Sequence, residues 1–110
     1  MATGLLGKQA LAASTYTAVA TVSVGKTATV NIRVINRDLV NTATIRLAIC
    51  PSGYTAPSVP ANADYIEPVD IILQGGEVVE EIGMVMSAGE VVVAYANTAA
   101  ITVRVHGFES

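Results

Sequence analysis

The feature that most constrains this chain is a strict two-residue alternation of apolar and polar side chains. From Ala28 it reads Ala28, Val30, Ile32 and Val34 in one phase, and Thr29, Asn31 and Arg33 in the other. Successive side chains of an extended strand point to opposite faces, so this is a strand with one face buried and one face wet. After a polar break at Arg37, Asp38 and Asn41, the alternation resumes with Ile45, Leu47 and Ile49 inward and Thr44 and Arg46 outward. A hairpin about that break is predicted to set Val34 opposite Ile45, Ile32 opposite Leu47 and Val30 opposite Ile49. A slip by one residue would turn the apolar set into water. The same register puts Arg33 directly opposite Arg46. Like charges so placed destabilise a sheet unless a carboxylate, solvent screening or an acidic group on a neighbouring subunit offsets them.

Turn residues mark out the other strands. A strand through Tyr16, Ala18, Ala20 and Val22 ends at Gly25-Lys26. Pro51, Pro57 and Pro60 exclude a central strand from Pro51 to Ala63, which is predicted to be a loop with room for one short helical turn. Tyr65 to Glu67 and Asp70 to Leu73 read as short strands, and Val78 to Met86 as a longer one with a bulge near Gly83. Val91, Val93 and Tyr95 form one inward phase. Ile101, Val103 and Val105 form another, with Thr102, Arg104 and His106 outward. About eight short strands with close turns and little or no helix predict an all-β fold, an antiparallel β-sandwich of jelly-roll type. Residues 1–11 are expected to be a first strand or an N-terminal arm.

At 110 residues the chain is expected to be one domain, 1–110. Apolar residues make up 52% and charged residues only 14%, against a charged fraction of roughly a quarter in ordinary globular domains. A surface left to Thr, Ser, Asn and Ala is weakly hydrated and tolerates permanent contact, so a homo-oligomer or larger assembly is expected; a stable Thr-rich monomer is the plainer alternative. A net charge of −3 argues against a nucleic-acid partner. The single cysteine, Cys50, excludes an internal disulfide framework. The opening residues lack a secretory-signal pattern, and no apolar run has the length of a membrane helix, so no membrane partner and a cytoplasmic origin are expected.

Catalytic chemistry is hard to assemble from these residues. His106 is the only histidine, and it falls in the polar phase of its strand. Cys50 precedes Pro51 with no base in sight and is expected to fill space. Asp64, Glu67 and Asp70 recur every third residue in an extended segment, a poor match to a calcium loop. Glu77, Glu80 and Glu81 suit an edge strand guarded against unwanted pairing. Gly75-Gly76 lacks the Gly-Lys-Ser/Thr of a phosphate loop. The expectation is therefore no enzyme, no cofactor and no metal. Candidate contact residues are Arg33 and Arg46, because Arg is enriched at protein interfaces, Tyr54 and Phe108 as scarce aromatics of uncertain burial, and Leu5 and Leu6 as something an arm could bury. Tyr16 and Tyr95 are expected in the core.

Three stretches, Met1 to Gly7, Val24 to Ile32 ending at Asn36-Arg37, and Ala88 to Tyr95 continuing through Val103 to Glu109, together resemble small virion structural proteins of tailed bacteriophages, cyanophages among them. The resemblance covers most of the chain through turn-and-strand signatures. It implies a non-enzymatic particle component present in many copies in the virion and assembled in the host cytoplasm, with a capsid decoration or cement role binding the major capsid protein between capsomers as the first expectation. A neck, tail or fibre position contacting other virion proteins is the second. The Pro51–Ala63 loop is longer than the type suggests. A carbohydrate-binding or adhesin module is the alternative of another class, and the absence of Trp and the single Phe weigh against it.

Overall fold

The structure is a computed structural model that describes residues 2–110; Met1 lies outside it. Eight strands follow in chain order: β1 (Ala2–Ala10), β2 (Thr17–Thr21), β3 (Ala28–Asn36), β4 (Ala43–Cys50), β5 (Ile71–Leu73), β6 (Val78–Met86), β7 (Val91–Ala96) and β8 (Ile101–Glu109). They make two four-stranded sheets, ordered β1-β8-β3-β6 (sheet I) and β2-β7-β4-β5 (sheet II). All pairings are antiparallel. The predicted all-β sandwich is what the chain forms. Apart from β4 to β5, every connection crosses from one sheet to the other, which is the winding of a double-sheet jelly roll.

That winding overturns the predicted hairpin. β3 and β4 lie in different sheets: Ile32 stands beside Val105 of β8 and Glu81 of β6, and Leu47 beside Ala94 of β7. Both strands keep the predicted inward phases, but alternation specifies a face and not a neighbour. Val30, Ile32 and Val34 therefore meet Ile45 and Leu47 across the interior, within one core cluster, instead of side by side.

The local reason is the corner at 37–42. The Asp38 carboxylate accepts the amide N–H groups of Val40 and Asn41 at 2.9 and 3.0 Å, an Asx turn in place of a tight hairpin turn. Asn36, only 1% exposed, donates its side-chain amide to the carbonyls of Asn41, Leu73 and Gln74, and its Oδ1 accepts the Asp38 N–H. These bonds tie the β3–β4 crossing to the β5–β6 corner.

The interior is apolar from both sides. Val103 and Val105 of β8 join β3 on sheet I, and Val92 and Ala94 of β7 join β4 on sheet II. β7 is buried on its outer side as well. Val91 and Val93 pack there with Tyr16, Ala48 and Cys50 in a second cluster, against which Tyr54, Tyr65 and Tyr95 are packed. The inward phase assigned to Val91, Val93 and Tyr95 is thus corrected to the outer face. Tyr16 is buried and Tyr95 half-buried in this cluster, so neither lies between the sheets. A bulge between Ala18 and Ala20 switches the phase of β2 and separates Tyr16 from Val22. The expected loop covers this second cluster. It carries one 3-10 turn, Asn62–Asp64, while the strand expected at Tyr65–Glu67 reduces to a single bridge from Tyr65 to Ala48.

Residues 2–10 form a true first strand, pairing with β8 at the edge of sheet I. Gly7 lets β1 approach β2, since a Cβ there would run into the Val19 carbonyl. The expected bulge in β6 is present: the β3 register skips between Met84 and Glu81. Gly83 adopts a left-handed φ of 67°, and its N–H is accepted by Asn31 Oδ1 at 2.9 Å.

Candidate interaction surfaces

Side chains with catalytic potential are dispersed. Among the described residues no His, Cys, Asp and Glu side chains gather into a set of three that could hold a metal. His106 lies on the outer face of β8, where its Nε2 accepts a hydrogen bond from Arg104 Nε at 3.1 Å. Cys50 is fully buried on sheet II, and burial pushes its thiol pKa up, away from the reactive thiolate. Asp70, one of the three acids that recur every third residue, pairs with Arg46.

The outer face of sheet II carries a polar-aromatic cluster built around Arg46. Its Nε and Nη2 reach the two Asp70 carboxylate oxygens at 2.8 and 3.2 Å, and its Nη1 donates to the Tyr16 hydroxyl at 2.7 Å. The guanidinium lies 4.5 Å from the Tyr95 ring centre, a cation–π contact. The Tyr16 and Tyr65 hydroxyls are 2.7 Å apart. The Asp70 and Tyr16 partners hold the Arg46 pKa above its usual range, and the same guanidinium holds the Asp70 carboxyl below the usual carboxylate range. Burial, followed by the Tyr16 hydroxyl, pushes Tyr65 up to about 12. Asp70 itself sits at a positive φ of 62°, a conformation Asp tolerates better than most residues.

This cluster fastens the 51–70 segment to the sheet, so Arg46 serves the chain's own fold. The predicted Arg33–Arg46 opposition does not occur, because the two strands are in different sheets; Arg46 stands opposite Tyr95. Tyr54 is likewise used internally. It packs on the second cluster and donates its hydroxyl to the Ser58 carbonyl at 2.6 Å. Burial raises its pKa.

The outer face of sheet I is different: it is broad, and among the described residues no other segment covers it. Cross-strand register arranges its side chains in rows. Thr3, Phe108, Thr29 and Val85 form one row. Leu5, His106 and Asn31 form the next, then Lys8, Arg104, Arg33 and Glu80, then Ala10, Thr102, Ile35 and Val78. Phe108 is 50% exposed, Val85 74% and Leu5 42%. Arg33 meets Glu80 at 3.3 Å, with both side chains about half exposed.

Of the six residues expected to make contacts, this face therefore gathers Leu5, Arg33 and Phe108. Leu6 points the other way and packs on the core, its phase set by the bulge between Leu5 and Gly7. Arg46 and Tyr54 belong to the opposite sheet. Sequence reasoning passed over Lys8 and Arg104 as members of the site. The outward phase of β8 marks Arg104, but nothing local says that Lys8 and Arg33 stand on either side of it. Comparison with family models, with curated proteins and with solved structures returns no match, so the surface is understood from its own geometry.

Proposed function

We propose that this chain is a non-enzymatic structural protein of a tailed-phage virion, first of all a decoration protein that binds the outside of the head between capsomers of the major capsid protein. The observation that carries this reading is the open outer face of sheet I. A two-layered scaffold presents a four-stranded surface of alkyl, hydroxyl and Arg side chains, with Leu5, Phe108 and Val85 left in water. Exposed apolar groups on an open sheet face favour a docked state over a free monomer. The low charge density supports the same conclusion, and the jelly roll recurs in viral capsid domains, which supports it by analogy. The mechanism would be mechanical: area buried between adjacent capsomers resists outward pressure, and symmetry repeats each weak contact many times. In this role the chain would act as a homo-oligomer or as a regular array of copies.

Quantitative mass spectrometry of purified particles tests the reading. On the order of hundreds of copies per particle are expected for a head coat, whereas about six or twelve would move the protein to a neck, tail or fibre ring. Absence from the particle would overturn the proposal.

A further inference from the structure

We propose that the outer face of sheet I is a docking surface for an acidic protein partner whose carboxylates are received by the row Lys8–Arg104–Arg33. This deepens the reading above, in which the chain works by packing on another protein, and adds which face docks and the chemistry it meets.

The first argument is the cost of the row to the free molecule. Lys8 stands directly opposite Arg104, and Arg104 directly opposite Arg33, on three neighbouring strands. Adjacent strands are about 4.8 Å apart, and like charges facing each other at that spacing destabilise the sheet. Among the described residues, one carboxylate answers them, Glu80 at the far end of the row. A locally unfavourable arrangement on an open face is the kind of feature that function retains.

The second argument is where the chain's own carboxylates are. The molecule carries a net charge of −3, yet most of its acids are engaged away from this row. Asp70 holds Arg46, Asp38 caps its turn, and Glu77, Glu90 and Glu109 accept backbone N–H groups of Gln74, Ser87 and Ser23. A second copy stacked face to face on this row would set Arg against Arg or Lys against Lys at its centre, so we assign the complementary surface to a different protein.

The third argument separates protein from nucleic acid. Phe108 and Val85 lie on one side of the row beyond Leu5, and Ile35 and Val78 lie on the other. The phosphate backbone of a duplex gains nothing from those alkyl and aryl groups, whereas a protein surface with carboxylates between apolar side chains covers both kinds of row. Strands of a partner sheet would repeat carboxylates at the spacing of the cations.

The test uses a short capped peptide of alternating Glu and Val, titrated into the ¹⁵N-labelled chain at low ionic strength and followed by NMR. Shift changes are expected at the amides of Lys8, Arg33, Arg104 and Phe108, with the Tyr54–Tyr65 segment unmoved. Replacing Arg104 by Gln, or Lys8 and Arg104 together, is expected to weaken binding about tenfold or more. The same change should leave the thermal midpoint equal or higher, because it relieves like-charge repulsion; a purely structural role for the row would lower it. A DNA duplex binding this row as tightly as the peptide, or unshifted amides in the row, or variants that bind like the parent, would overturn the proposal. Binding through the row by a chain that is absent from phage particles would leave the docking surface standing and remove the virion assignment alone.

Discussion

Asn36 joins two corners that the strand order brings together from distant parts of the chain, and it is the only polar side chain buried in the described core. Its amide serves three carbonyls and its oxygen one N–H. Asn36→Ala leaves these groups without their partners at a buried or partly buried corner, so we expect a loss of about 2 kcal/mol, read as a lower urea midpoint at unchanged slope. Arg46 and Asp70 act at the same scale but on the surface. Asp70, Asp38 and Glu109 all have carboxyls held below their ordinary pKa in the folded chain, by Arg46, by the turn N–H groups and by the Ser23 N–H respectively. A depressed folded pKa contributes stability above the unfolded pKa, and that contribution is lost as pH falls through the folded value. Stability should therefore decline in acid from about pH 4 downward. With Asp70→Asn the decline should be shallower and the 51–70 segment should exchange its amides faster at neutral pH, both measurable by hydrogen exchange across a pH series. An unchanged acid limb in Asp70→Asn would remove Asp70 from this account. The residues of the candidate site were partly legible at this scale. Arg33, Leu5 and Phe108 stood out by type and phase, whereas Lys8 and Arg104 acquire meaning only once β1, β8 and β3 are seen to be neighbours.

At the scale of elements, two glycines separate crowding from backbone conformation. Gly7 and Gly83 each sit at an irregularity of an edge strand of sheet I. A Cβ at Gly83 meets open space, but the left-handed φ remains, so Gly83→Ala should cost about 1–2 kcal/mol from conformation alone. A Cβ at Gly7 strikes the Val19 carbonyl and the Ala20 side chain. Gly7→Ala should accordingly cost more, about 3 kcal/mol, and pry β1 away from β2. Thermal melts of the two variants, with exchange mapped onto β1, distinguish these outcomes; equal costs would contradict the crowding argument. Strand existence was readable because the period of two survives in β3, β4 and β8. Pairing was not readable, because the jelly roll sends Val34 and Ile45 to opposite sheets after a corner whose geometry depends on Asn36 reaching Leu73 and Gln74 far along the chain. The phase of β7 was missed for another reason. Val91 to Ala94 are buried on both faces, so alternation carries no information there, and the covering comes from a Pro-bearing loop that has no periodicity of its own.

The whole molecule divides its labour between its two broad sides. Sheet II spends its outer surface inwardly, on a loop held down by Tyr16, Tyr65, Arg46 and Asp70. Sheet I keeps its outer surface open. The order β1-β8-β3-β6 places β8 in the middle of that open sheet, between the first strand and the third. Of the eight strands, the one that bridges β1 to β3 is therefore the last to leave the ribosome. Until Ile101 to Glu109 emerge, β1 has no ladder partner and one flank of β3 is bare. The surface proposed for docking comes into being only with the final strand, which delays any engagement of a partner until the chain has been made through β8.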